Sequence, residues 1–235
     1  MQLIRRWLSS CIIAALIGSA GAQVWDEFAN GGGDAGNLPH TAQMIVGNPS
    51  DPLTQITGSV GAGGDIDMFA FLITDSANFA ATTLTGAGWD TRLWLFRANG
   101  KGALFNDDTP YPYFSTQSWV GAPFDVYNGY TYIADWSSWS ATNLPPGLYY
   151  LAIGSYERWA LSGSDKIWQD FPFDQQREPD GPGAAGAITG WGGTAHDSGN
   201  YTIYLFGASY VPEPASMLVL SAGLAGLSLL RRRKR

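Results

Sequence analysis

The chain has 235 residues, with 13 Lys and Arg against 20 Asp and Glu, and 45% of it is hydrophobic. That is enough to bury a sizeable core and excludes a disordered chain. The basic residues crowd the two ends, so residues 23–210 keep 6 basic side chains against 19 acidic ones, a balance that repels phosphate backbones and excludes nucleic-acid binding.

Residues 1–22 open with Arg5-Arg6, continue as an apolar run from Leu8 to Ala20, and close on Ala20-Gly21-Ala22. This pattern predicts a cleaved signal peptide, and therefore export. Cys11, the single cysteine, lies inside it, which leaves the mature chain no disulfide and no Cys-ligated metal. Residues 23–53 read as an N-terminal segment leading into the main domain, with Asn30-Gly31-Gly32-Gly33-Asp34 as a Gly-rich linker.

From there, short runs rich in β-branched and aromatic residues recur between Gly, Asn, Asp and Pro. The strongest are Asp67–Thr74, Phe79–Thr85, Arg92–Phe96, Leu148–Ile153 and Tyr201–Phe206; weaker ones are Ala42–Val46, Thr54–Val60 and Ala103–Asn106. They predict an all-β antiparallel β-sandwich of jelly-roll type over residues 54–210. Aromatic-rich insertions at 111–143 and 154–200 interrupt it, both longer than ordinary sandwich loops.

The order Asp65-Ile66-Asp67-Met68-Phe69, Asp90-Thr91-Arg92-Leu93-Trp94-Leu95-Phe96, Asn99-Gly100, Asn106-Asp107-Asp108, Pro146-Gly147-Leu148-Tyr149-Tyr150-Leu151-Ala152-Ile153 and Gly199-Asn200-Tyr201-Thr202-Ile203 resembles the bacterial pre-peptidase C-terminal domain. The resemblance implies an auxiliary β-sandwich of the kind that accompanies a catalytic domain.

Catalytic patterns are scarce. The mature chain has His40 and His196 but no thiol, and Gly-x-Ser-x-Gly, His-Glu-x-x-His and Gly-x-Gly-x-x-Gly are absent. A Ser-His-Asp site built on His196 and Asp197 would need chain neighbours to face one another. The expectation is a non-catalytic interaction module; the runner-up is a hydrolase of matrix polysaccharide, which requires two carboxylates facing across a cleft.

Asp65 and Asp67 stand two apart at a strand entry, Asp107 and Asp108 form a turn with Asn106, and Asp90 precedes another strand. Two uses are open for these five: calcium ligands, since hard cations take loop carboxylates and carbonyls, or caps that accept backbone amides in turns. The aromatic residues of the insertions have two uses as well. They form local cores, or stand exposed as flat platforms for sugar rings; Trp136 and Trp139, flanked by polar residues, and Trp168, followed by Gln169 and Asp170, are the candidates for the second.

The far end reads Val211-Pro212-Glu213-Pro214, sixteen uncharged residues from Ala215 to Leu230, and Arg231-Arg232-Arg233-Lys234-Arg235. As a helix the uncharged stretch spans about 24 Å, enough to cross a bilayer if the arginines snorkel. The basic cluster then stays cytoplasmic and the acidic domain lies on the other side of the inner membrane. Residues 211–235 resemble the PEP-CTERM sorting signal of bacteria that secrete exopolysaccharide. The resemblance implies that exosortase reads Pro212, Glu213 and Pro214 and removes the helix, leaving the protein at the cell surface or in the extracellular matrix, with exopolysaccharide as a partner. The alternative is a permanent anchor.

Overall fold

A computed structural model describes residues 23–109, 115–122 and 144–213. The signal peptide, most of the first insertion with Trp136 and Trp139, Pro214 and the sorting helix lie outside the described residues.

Strands and connecting loops, without a helix, make up the described residues. In chain order the first seven strands are β1 (Val24–Asp26), β2 (Gln43–Met44), β3 (Val46–Gly47), β4 (Pro52–Val60), β5 (Ile66–Ile73), β6 (Ala80–Thr82) and β7 (Thr91–Arg97). The rest are β8 (Gly102–Asn106), β9 (Trp119–Gly121), β10 (Gly147–Ser155), β11 (Arg158–Ser162), β12 (Asp165–Lys166), β13 (Gly190–Gly193), β14 (Gly199–Ser209) and β15 (Val211–Pro212).

The ladder order β1-β4-β14-β5-β10-β7-β8 forms one ten-stranded sheet with β2, β6 and β9 attached at its sides. The sheet folds over at β14, which runs antiparallel to β4 through Tyr204, bulges, and then sets Ala208 opposite both Leu53 and Ile73. Gly207 makes that bend. Its φ is 65°, its carbonyl accepts from Thr74 and Asp75, and a Cβ there would stand 2.5 Å from the Asp75 carbonyl oxygen.

Period-two alternation explains how the layer β5-β10-β7-β8 is buried on both faces. Phe69, Phe71 and Ile73 of β5, with Leu93, Leu95, Leu151 and Ile153 beside them, point into one core with Ile56, Ile203 and Leu205 of the opposite half. Ile66 and Met68 of β5, with Trp94, Phe96, Phe105 and Ala152, point the other way into a second core. Strands covered on both faces read as nearly unbroken apolar runs, and each large side chain so buried contributes about 1.5–3 kcal/mol.

The second core is closed by the 154–200 insertion, which forms its own three-stranded sheet in the order β12-β11-β13. Trp168 is 4% exposed and packs against Phe96 and Phe105, and Trp191 meets Trp94 edge-on at 4.9 Å. The expectation of Trp168 as an exposed platform is therefore corrected. A sheet face carrying Trp94, Phe96 and Phe105 needs an apolar lid, and Trp168 supplies part of it.

The all-β class is as expected. Pairing is mixed rather than purely antiparallel, because β1–β4, β2–β5 and β15–β3 are parallel, and the ladders do not establish a jelly-roll order. The 30–34 stretch is a folded turn and not a linker: Gln43 Nε2 donates to the carbonyls of Glu27 at 3.1 Å and Gly33 at 2.9 Å.

Candidate functional site

The five acidic residues singled out in the sequence fall into different places. Asp65 accepts from the amides of Gly61 at 2.7 Å and Ile66 at 2.9 Å, so it caps the turn entering β5. Asp67 joins Glu27 and Asp34, and Asp90 joins Asp107 and Asp108; each trio brings three carboxylate oxygens within 4.8 Å of one another.

The first trio sits where β1, β4 and β5 meet. Glu27 and Asp67 are both 0% exposed. Glu27 accepts from the Ala35 amide at 2.7 Å and the Ser59 amide at 3.0 Å, while Asp67 Oδ2 accepts from the Tyr201 hydroxyl at 2.8 Å and its Oδ1 has no partner. Gly58 leaves the room for this approach, since a Cβ on it would lie 2.3 Å from Glu27 Oε2 and 2.4 Å from Tyr201 Oη. Burial, reinforced by the neighbouring charge of Glu27, pushes the Asp67 carboxyl up to about 9. Glu27 is also raised, chiefly by burial. Sequence reading missed Glu27 and Asp34, because they lie more than thirty residues from Asp67 and enter only through the parallel β1–β4 pairing.

The second trio is built by strand register. Leu93 of β7 stands opposite Asn106 of β8, so one step further along the antiparallel pair Arg92 faces Asp107. Arg92 is 3% exposed; it donates through one terminal nitrogen to Asp107 Oδ2 and through the other to the Arg158 carbonyl at 3.0 Å. Asn106, fully buried, fixes the turn by donating to the Asp108 carbonyl at 2.8 Å and accepting from the Trp119 amide at 2.7 Å. Thr83, Thr91 and Ser118 hold the start of β7 through buried hydroxyl contacts of 2.7 and 3.1 Å. Asp107 Oδ1 and Asp90 Oδ1 are buried without partners. Burial and the charge of Asp107 push Asp90 up to about 7 and Asp108 up to about 6.

These groups face a cavity of about 340 Å³, within the range of small-ligand sites. Its other walls carry Tyr156, Trp159, Phe171 and Phe173, together with Glu157 and Asp170. Phe171 is 71% exposed and Phe173 44%, in an edge-on pair at 6.0 Å, whereas Lys166 Nζ lies 3.4 Å from the Trp159 ring centre and 2.7 Å from Asp170. The exposed aromatic pair belongs to the insertion flagged from sequence, but the exposed residues are phenylalanines next to Pro172, not Trp168. The His196 ring pairs with Glu157 at 2.9 Å, and Ser155 is reached by the backbone amides of His196 and Asp197; the Ser-His-Asp arrangement is not formed there.

Residues 211–234 match the PEP-CTERM protein-sorting motif. The motif implies recognition by exosortase during export, with the cell surface or extracellular space as destination. No curated protein and no solved structure matches the chain. Pro212 lies in β15, which pairs in parallel with β3, and Glu213 follows it exposed. No helix among the described residues is long and apolar enough to cross a membrane.

Proposed function

We propose that the body is a non-catalytic interaction module that binds extracellular polysaccharide in the cavity between Asp90, Asp107 and the Phe171–Phe173 pair. The observation that carries this reading is the juxtaposition of two exposed aromatic rings with carboxylate oxygens lacking partners: the rings suit the C–H faces of sugars and the oxygens suit their donors. Export by a sorting system of exopolysaccharide-producing bacteria supports it, as does the resemblance of the strand motifs to an auxiliary sandwich. Calcium belongs, in this reading, to the Glu27–Asp34–Asp67 trio. The charges acting on Asp67 there are all carboxylates, whereas Arg92 already neutralises part of the second trio. A calcium ion would tie the N-terminal segment to β5 through oxygen ligands.

A second reading, hydrolysis, has one observation in its favour, namely carboxylates raised to about 7 and about 6 in an aromatic-lined cavity. Against it, the three oxygens converge within 4.8 Å, while a glycosidase sets its two carboxyls on either side of the scissile bond, about 5 Å apart or more.

The test is retention of the full chain on matrix polysaccharide prepared from the producing cells. Phe171→Ala with Phe173→Ala should abolish retention, and no reducing ends should appear on incubation. Undiminished retention by the double variant removes the cavity from the reading, and release of reducing ends replaces it with hydrolysis.

A further inference from the structure

We infer that the cavity selects a sugar unit bearing a free primary ammonium group, so that the polymer it takes is an amine-bearing polysaccharide; this rests on the reading of the body as a polysaccharide-binding module. Charge decides first. Asp90, Asp107, Asp108, Glu157 and Asp170 line the space; Asp107 is paired with Arg92, Asp170 with Lys166 and Glu157 with His196, which leaves Asp90 and Asp108 without an ion pair among the described residues. An anionic sugar is repelled, and a neutral one leaves the crowded carboxylates uncompensated.

Hydrogen bonding decides next. Asp107 is 1% exposed, yet its Oδ1 has no partner, and the same holds for Asp90 Oδ1. Buried acceptors of this kind call for a donor from the ligand, and an ammonium brings three donors together with the missing positive charge. A bare divalent ion would meet Arg92 at the same wall and leave the aromatic rim unused. The rim suits an ammonium on a ring, because Phe171 and Phe173 offer apolar faces while cations favour aromatic faces. The protein contains a version of this arrangement in the same wall. Lys166 holds its own ammonium between the Trp159 ring and the Asp170 carboxylate.

Titration calorimetry on the full chain in non-ionic detergent, with a glucosamine trimer and its N-acetylated counterpart, each with calcium and with chelator, tests the inference. The free-amine trimer should bind at least about tenfold more tightly, with or without calcium. Asp90→Asn should erase that preference, Asp108→Asn serving if the first variant does not fold, and Phe171→Ala should weaken both trimers. Equal binding of both trimers overturns the ammonium inference and leaves polysaccharide binding standing. Binding lost in chelator overturns it in favour of a metal-bridged hydroxyl site. If neither trimer binds, the inference fails, and retention on the native matrix polysaccharide decides whether the broader reading fails with it.

Discussion

The two acidic trios use the same residue types and differ in what surrounds them. Glu27, Asp34 and Asp67 meet among backbone amides and the Tyr201 hydroxyl, with Gly58 clearing space and further carboxylates as the acting charges. Asp90, Asp107 and Asp108 meet beside a buried arginine at the edge of an aromatic cavity. Three carboxylates with no counter-charge among the described residues are the proposed seat of an inorganic cation. Three carboxylates with one arginine and exposed phenylalanines leave room for an organic one. The difference teaches that composition marks acidic turns, and that the neighbouring strand decides their chemistry.

The largest effect should come from the arginine. Replacing Arg92 by Met leaves Asp107 buried without its ion pair, at a cost of about 3–5 kcal/mol. Chemical denaturation should show the loss, and adding Asp107→Asn should restore part of it; full stability of the single variant would mean that the second trio does not depend on its counter-charge. Next comes Gly58→Ala, which places a methyl against Glu27 and Tyr201 and should lose about 1–3 kcal/mol. It should also remove stabilisation by calcium, and an unchanged calcium effect would separate Gly58 from the first trio.

The pH dependence follows from Asp67. Its carboxyl titrates near 9 in the folded chain and near 3.8 otherwise. Between those values the folded chain holds a proton that the unfolded chain has released, so stability without calcium falls as pH rises across the window. Asp90 and Asp108, also raised, act in the same direction over narrower windows. If calcium binds the first trio as proposed, it would displace the proton on Asp67, so its stabilising effect on the melting temperature should grow from pH 5 to pH 9. Asp67→Asn should flatten that growth; a calcium effect independent of both pH and Asp67 would break the contrast between the trios. Smallest in stability is Phe171→Ala, expected within about 0.5 kcal/mol of the parent because the ring is largely exposed. A marked drop in melting temperature would show instead that the ring supports the fold.

Much of the sheet was legible. The runs Asp67–Thr74, Arg92–Phe96, Leu148–Ile153 and Thr54–Val60 match β5, β7, β10 and β4 closely, because alternating or continuous apolar side chains encode burial directly. The 154–200 insertion was not read as β11, β12 and β13. Its strands are short, and their apolar residues serve a core whose other wall lies on β5, β7 and β8. Site residues followed the same division. Asp107 and Asp108 announce themselves as an acidic turn, but their meeting with Asp90 depends on the β7–β8 register. Glu27 reaches Asp67 through a parallel pairing that no local pattern signals. Trp168 was misread because Gln169 beside it is exposed while the indole, with Ile167, turns into the second core.

A crystal structure of the protein grown with calcium and soaked with the glucosamine trimer would test the division of labour most directly. Calcium should lie among Glu27, Asp34 and Asp67, and a sugar ring should lie against Phe171 or Phe173 with its nitrogen at Asp90 and Asp107. A calcium ion held by Asp90, Asp107 and Asp108, with the Glu27 trio empty, would contradict it.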